Sequence, residues 1–104
     1  MNWIVKILDI KPYTVTCLWN DGEVRNVDFA GFIKRKSLSP ENSYTQIKNK
    51  NRFSEVKCDG TTLYWENGIV MKDYDGSDVP GPLDVDPEVL FEMSVLVEEK
   101  ISQF

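Results

Sequence analysis

Three Asx-Gly pairs, Asp21-Gly22, Asp59-Gly60 and Asn67-Gly68, stand between short runs rich in β-branched and aromatic residues. Glycine adopts a left-handed backbone freely, and aspartate and asparagine tolerate it, so such pairs close tight hairpins. A chain punctuated this way brings its apolar runs together as antiparallel neighbours.

The runs themselves read as strands. Tyr13 to Trp19 alternates, with Tyr13, Val15, Cys17 and Trp19 on one face and Thr14, Thr16 and Leu18 on the other. Glu23 to Phe29 returns after Gly22, and the mixed parity of Val24 against Val27 and Phe29 predicts a bulge near Arg25-Asn26. Trp3 to Ile10 is apolar at both parities, which predicts an interior strand ended by Lys11-Pro12. Phe53 to Cys58 and Thr61 to Glu66 form a second hairpin around Asp59-Gly60. Asn67-Gly68 predicts a further reversal, and Ile69-Val70-Met71 a short third strand.

Ala30 to Leu38 reads as a short helix or a loop, and the polar stretch Ser39 to Arg52 holds a turn or two of helix near residues 43–50. Lys72 to Asp84 reads as an acidic linker broken by Gly76, Pro80, Gly81 and Pro82. Asp86-Pro87-Glu88 opens a helix: an N-cap, a proline suited to the first turn, and an acid at the positive end of the dipole. Val89, Leu90, Met93, Leu96, Val97 and Ile101 recur at helical spacing as its buried stripe. The expected product is one α+β domain over residues 1–104. It has a small antiparallel sheet of two hairpins, a C-terminal helix and one short middle helix packed on it.

The chemistry is defined largely by what is missing. The 104 residues contain no histidine, which removes the usual general base, pH switch and metal ligand. No Gly-x-Ser-x-Gly elbow and no phosphate-cradling glycine loop occurs. The predicted protein is therefore not an enzyme and has no cofactor, catalytic residue or metal site. Asp73, Asp75 and Asp78 crowd one loop, but their spacing does not match a calcium loop, and a solvated linker explains them. Cys17 and Cys58 could form a redox pair or act as two small hydrophobes, and the second reading suits a chain with no export signal. Met1 to Ile10 is too short and too charged for a signal or a membrane span, so the expectation is a cytoplasmic protein with no membrane partner. Trp3, Trp19 and Trp65 read equally as core filler or as binding anchors.

Charge is segregated. Residues 34–57 carry seven basic and two acidic groups, whereas residues 58–104 carry two basic and eleven acidic groups. Lys34, Arg35, Lys36, Lys48, Lys50 and Arg52 form a candidate interaction patch. It would serve nucleic acid, with a log–log salt slope of roughly −4 if four or five phosphates were neutralised, or would simply balance the acidic half. The opposed segments also allow self-association.

Tyr13-Thr-Val-Thr-Cys-Leu-Trp-Asn-Asp-Gly22, then Val27-Asp28-Phe29 and Gly31-Phe32, resembles the opening of a family of small bacterial domains known as domain of unknown function 2442. Phe53-Ser-Glu-Val56 resembles its next block, Leu63-Tyr64-Trp65-Glu66-Asn67-Gly68 its Trp-Pro-Asn-Gly, and Asp86-Pro87-Glu88-Val89-Leu90-Phe91 its closing helix start. On that resemblance the motif positions are Asp21, Gly22, Trp65, Asn67, Gly68 and Asp86. The chain departs from the pattern at Glu66, where proline is usual, at Ile69-Val70, where Ala-Asp is usual, and over Lys72 to Asp84, which looks inserted. The resemblance implies a small α+β fold and assigns no activity. It further implies a protein-interaction module, with an antitoxin-like role beside a small toxin encoded by a neighbouring gene as the most specific version. Some members carry an added DNA-binding domain, which is not expected here after Phe104.

Overall fold

The structure is a computed structural model and describes residues 1–97. The α+β class holds, but the strands form two antiparallel sheets. The first contains β1 (Ile4–Lys11), β2 (Thr14–Trp19), β3 (Val24–Asp28) and β7 (Ser94–Leu96), in that spatial order. The second contains β4 (Lys57–Cys58), β5 (Leu63–Lys72) and β6 (Asp78–Asp84). Between them the chain runs through α1 (Ala30–Lys36), a 3₁₀ helix over Ser43–Lys48 and α2 (Lys50–Phe53), and α3 (Pro87–Glu92) precedes β7.

The β2–β3 hairpin follows the alternation, with Gly22 at φ +87° in its turn. The expected bulge at Arg25-Asn26 is absent. β2 and β3 pair without a register shift, and Val24 sits opposite Leu18 on the outer face while Val27 opposes Val15 on the inner one. β1 is an edge strand rather than an interior one. Its register slips by one residue at Val5 and again at Leu8. These two bulges replace a period of two by a period of three. Ile4, Ile7 and Ile10 turn toward the core, and Val5 and Leu8 are left exposed.

The core lies between the inner faces of the two sheets, sealed by the short helices. Phe29 is its hub. Its ring meets Phe32, Phe53 and Trp65 edge-on at centroid distances of 5.4 to 5.8 Å. Each such pair adds about 0.5–1.5 kcal/mol beyond the area it buries. Trp19 and Trp65 are both fully buried, which places them as core filler, and the Trp65 indole N–H donates to the Phe53 carbonyl. Trp3 remains partly exposed.

Three expectations for the second half are corrected. Phe53 to Cys58 is not a strand: Phe53 closes α2, and only Lys57-Cys58 pairs with β5. Asn67-Gly68 does not reverse the chain. It is a bulge inside β5, where three residues, Glu66 to Gly68, face the single Pro82 between the pairs Trp65↔Leu83 and Ile69↔Gly81, and Asn67 takes a left-handed φ of 56°. The stretch read as an acidic linker is instead a hairpin turn followed by β6. Pro80 and Pro82 are tolerated there because β6 is an edge strand.

The predicted helix from Asp86 starts as expected: Asp86 Oδ1 accepts from the Glu88 amide at 2.8 Å, and Pro87 fills the first turn. It stops at Glu92, where Ser94 to Leu96 pair with β3 as β7. Arg25 holds this switch, donating to Ser94 Oγ at 2.7 Å and lying over the Phe91 ring at 4.2 Å. Leu90 is the buried anchor of α3, whereas Val89 is exposed. The predicted stripe position Ile101 lies outside the described residues. None of the described helices is long and apolar enough to cross a membrane.

Candidate interaction surfaces

The most distinctive surface is the distal half of the β5–β6 hairpin. Ile69, Val70 and Met71 favour extended backbone, and Asp75-Gly76 supplies the tight turn. The turn is closed by backbone bonds from Asp73 N to Ser77 O and from Gly76 N to Asp73 O, both 2.9 Å. Asp75 accepts from the Ser77 amide at 2.9 Å and from the Ser77 hydroxyl at 2.6 Å. These bonds, the hydroxyl's first, hold its carboxyl below the usual range. Lys72 pairs with Asp78 across the base of the turn. The three aspartates read from sequence as a possible cation loop are thus engaged in turn geometry. Among the described residues no three acidic or cysteine side chains converge as metal ligands.

β4 covers β5 only at Leu63 and Tyr64. Beyond that, side chains replace a strand. Arg52 donates to the Glu66 carbonyl at 2.7 Å, and Gln46 donates to the Gly68 carbonyl at 2.9 Å. Past Gly68 the hairpin is a two-stranded arm. It carries Val70 at 72% exposure, Met71 at 48% and a wholly exposed Tyr74 at its tip.

The six residues of the basic patch have different local partners. Arg52 is committed to the arm's base: its guanidinium also donates to Gln46 Oε1 at 2.9 Å and to Glu55 at 2.8 Å. Lys36 lies over the rings of Phe32 and Tyr44, 5.5 and 5.7 Å from their centroids. Lys34 and Lys48, by contrast, flank one depression of about 410 Å³ whose wall includes Tyr13, Ala30, Ile33 and Leu38. The Tyr13 hydroxyl donates to the Lys48 carbonyl and fixes that rim. Arg35 and Lys50 are exposed. Among the described residues, Lys34, Arg35, Lys36, Lys48 and Lys50 form no ion pair.

The motif positions have structural jobs. Asp21 accepts from the Glu23 amide at 2.9 Å, Gly22 turns the hairpin, Trp65 fills the core, Asn67 and Gly68 form the bulge, and Asp86 caps α3. Cys17 and Cys58 are free thiols. Burial, and secondarily the neighbouring Cys58, pushes the Cys17 thiol up to about 12, so it stays protonated and unreactive at neutral pH.

Sequence reasoning missed the arm. The available signal was a fourth Asx-Gly pair, Asp75-Gly76, flanked by Val70-Met71 and Val79. Comparison of the chain with protein-family models, with curated proteins and with solved structures found no match in any of the three.

Proposed function

We propose that this chain is a non-catalytic protein-interaction module that engages its partner through the β5–β6 arm. The observation that carries this reading is the arm itself. A two-stranded ribbon is marginal in water alone, yet this one leaves Val70, Met71 and Tyr74 in solvent. A protein partner would cover them. Pro80 and Pro82 blunt the β6 edge, so a strand-adding partner would approach along β5.

The resemblance to the family noted above supports the finer version, an antitoxin-like partner of a small protein encoded beside it, by analogy alone. Two free thiols suit a reducing, cytoplasmic setting. For the nucleic-acid alternative, Arg52 is engaged with Glu55, whereas Lys34, Arg35, Lys36, Lys48 and Lys50 form no ion pair among the described residues.

The test is co-expression with the neighbouring gene's protein and tagged co-purification. It uses the full chain and a variant in which residues 71–79 are replaced by Asn-Gly, closing Val70 onto Pro80. The full chain is expected to retain the partner and the trimmed variant to lose it. No retention by the full chain would refute the antitoxin-like version, and equal retention by both would refute the arm as its docking element.

A further inference from the structure

The arm and the cationic depression are complementary in charge, and each pairs its charges with an apolar surface. The arm's tip presents the Tyr74 ring between Asp73 and Asp75, the most exposed of the large hydrophobic side chains among the described residues. The depression presents an apolar wall of Tyr13, Ala30, Ile33 and Leu38 between the ammonium groups of Lys34 and Lys48. Its volume of about 410 Å³ is ample for a phenol ring. Leu38 at its rim is 82% exposed, an apolar side chain with nothing over it. Neither Lys34 nor Lys48 is paired with an acid among the described residues, and neither is Asp73 or Asp75.

We infer that the occupant of the arm is a second copy of this chain, with Tyr74 of one copy seated in the Lys34–Lys48 depression of the other. This rests on the reading of the arm as a docking element and names its partner. The contact is heterologous, knob to hole, so each copy offers one of each. Aspartates flanking the knob meet lysines flanking the hole, which fixes the orientation and speeds encounter. The aromatic anchor in an apolar socket supplies most of the affinity.

Sedimentation velocity over a concentration series tests this. The full chain is expected to associate reversibly. Association should be stronger at about 0.01 M salt, where the screening length is about 30 Å, than at 0.15 M, where it is about 8 Å. Tyr74→Ala should weaken association roughly 30-fold, the effect of losing a hot-spot aromatic. The double variant Lys34→Glu/Lys48→Glu should weaken it comparably. All three residues are surface groups, and circular dichroism confirms that the variants fold.

The decisive arm is a mixture. The Tyr74→Ala protein keeps its hole and the lysine double variant keeps its knob, so together they should form a one-to-one dimer that neither forms alone. A wild-type chain that stays monomeric into the millimolar range at low salt would overturn the inference, as would association untouched by Tyr74→Ala or a mixture that stays monomeric. Each of those results leaves the co-purification experiment to decide separately whether the arm binds a different protein.

Discussion

Gly68 lies where β5 bulges against β6, and its replacement by alanine probes that arrangement. A Cβ built at Gly68 falls 2.3 Å from Leu83 Cβ and 3.3 Å from both the Leu83 nitrogen and the Trp65 carbonyl oxygen. Comfortable carbon–carbon separation is about 3.5–4.0 Å, so the strands must part by more than about 1 Å. Leu83 cannot swing aside, because the clashing atom is fixed to its backbone and its side chain is buried. Overpacking of this kind costs about 1–3 kcal/mol. A weakened ladder hydrogen bond adds about 1 kcal/mol. The expected loss is therefore about 2–4 kcal/mol, which lowers the thermal midpoint of a chain this size by roughly 9–18 °C.

Gly81→Ala is the matched control. Its Cβ also meets an atom at 2.3 Å, but that atom is the sulfur of Met71, a flexible and half-exposed side chain that can move. Its cost should stay below about 1 kcal/mol. Chemical denaturation of both variants at neutral pH measures the contrast. Equal losses, or a Gly68→Ala protein within about 0.5 kcal/mol of the parent, would refute the account of the bulge.

Three further expectations concern the core and the arm's base. Arg52→Ala should destabilise by about 2 kcal/mol, because a charge-assisted bond to the Glu66 carbonyl is lost, and lysine should recover less than half of it; urea titration reads both, and an unchanged midpoint would mean that Arg52 does not secure the arm. Ser37→Ala should stabilise by about 1 kcal/mol, since the Ser37 hydroxyl is buried with no hydrogen-bond partner among the described residues; calorimetry showing a loss would contradict this. Stability should also fall under alkali. The folded Cys17 thiol is pushed up to about 12, above its unfolded value, so its contribution is complete below about pH 8.5 and is lost progressively as pH rises toward the folded value. The full loss is on the order of 4 kcal/mol. The stability–pH curve of Cys17→Ala should accordingly be flatter above pH ~8.5, and parallel curves would refute the assignment.

The first sheet was legible where local rules were undisturbed. Asp21-Gly22 and the Thr–Val alternation placed β2 and β3, and Asp86-Pro87 placed the start of α3. β1 was misjudged because Val5 and Leu8 bulge outward, turning two apparent apolar faces into one. Helical spacing ran on through Leu96 and Val97 to Ile101, and pairing of Ser94 to Leu96 with β3 under the Arg25–Ser94 bond overrides that periodicity where the structure describes it. The arm was hidden for a similar reason. Prolines that argue against a strand in a sheet interior are harmless at an edge, and only topology shows that β6 is one. For the basic patch, proximity in sequence says nothing about which cations are claimed by neighbours. Arg52 is claimed by the β5 backbone, and Lys36 by two aromatic rings.

The clamp that Arg52 and Gln46 place on the Glu66 and Gly68 carbonyls has an engineering corollary. It anchors the ribbon below the point where the ribbon leaves the body, and beyond Ile69 and Gly81 the side chains of Val70, Met71 and Tyr74 are exposed. The tip should therefore accept foreign sequence, such as an epitope or a reporter loop, with no loss of fold. Because side chains alternate along each strand, extensions should be made in matched steps of two residues per strand to keep the same residues facing the same way. Such a chain would serve as a handle of adjustable length on a small rigid base.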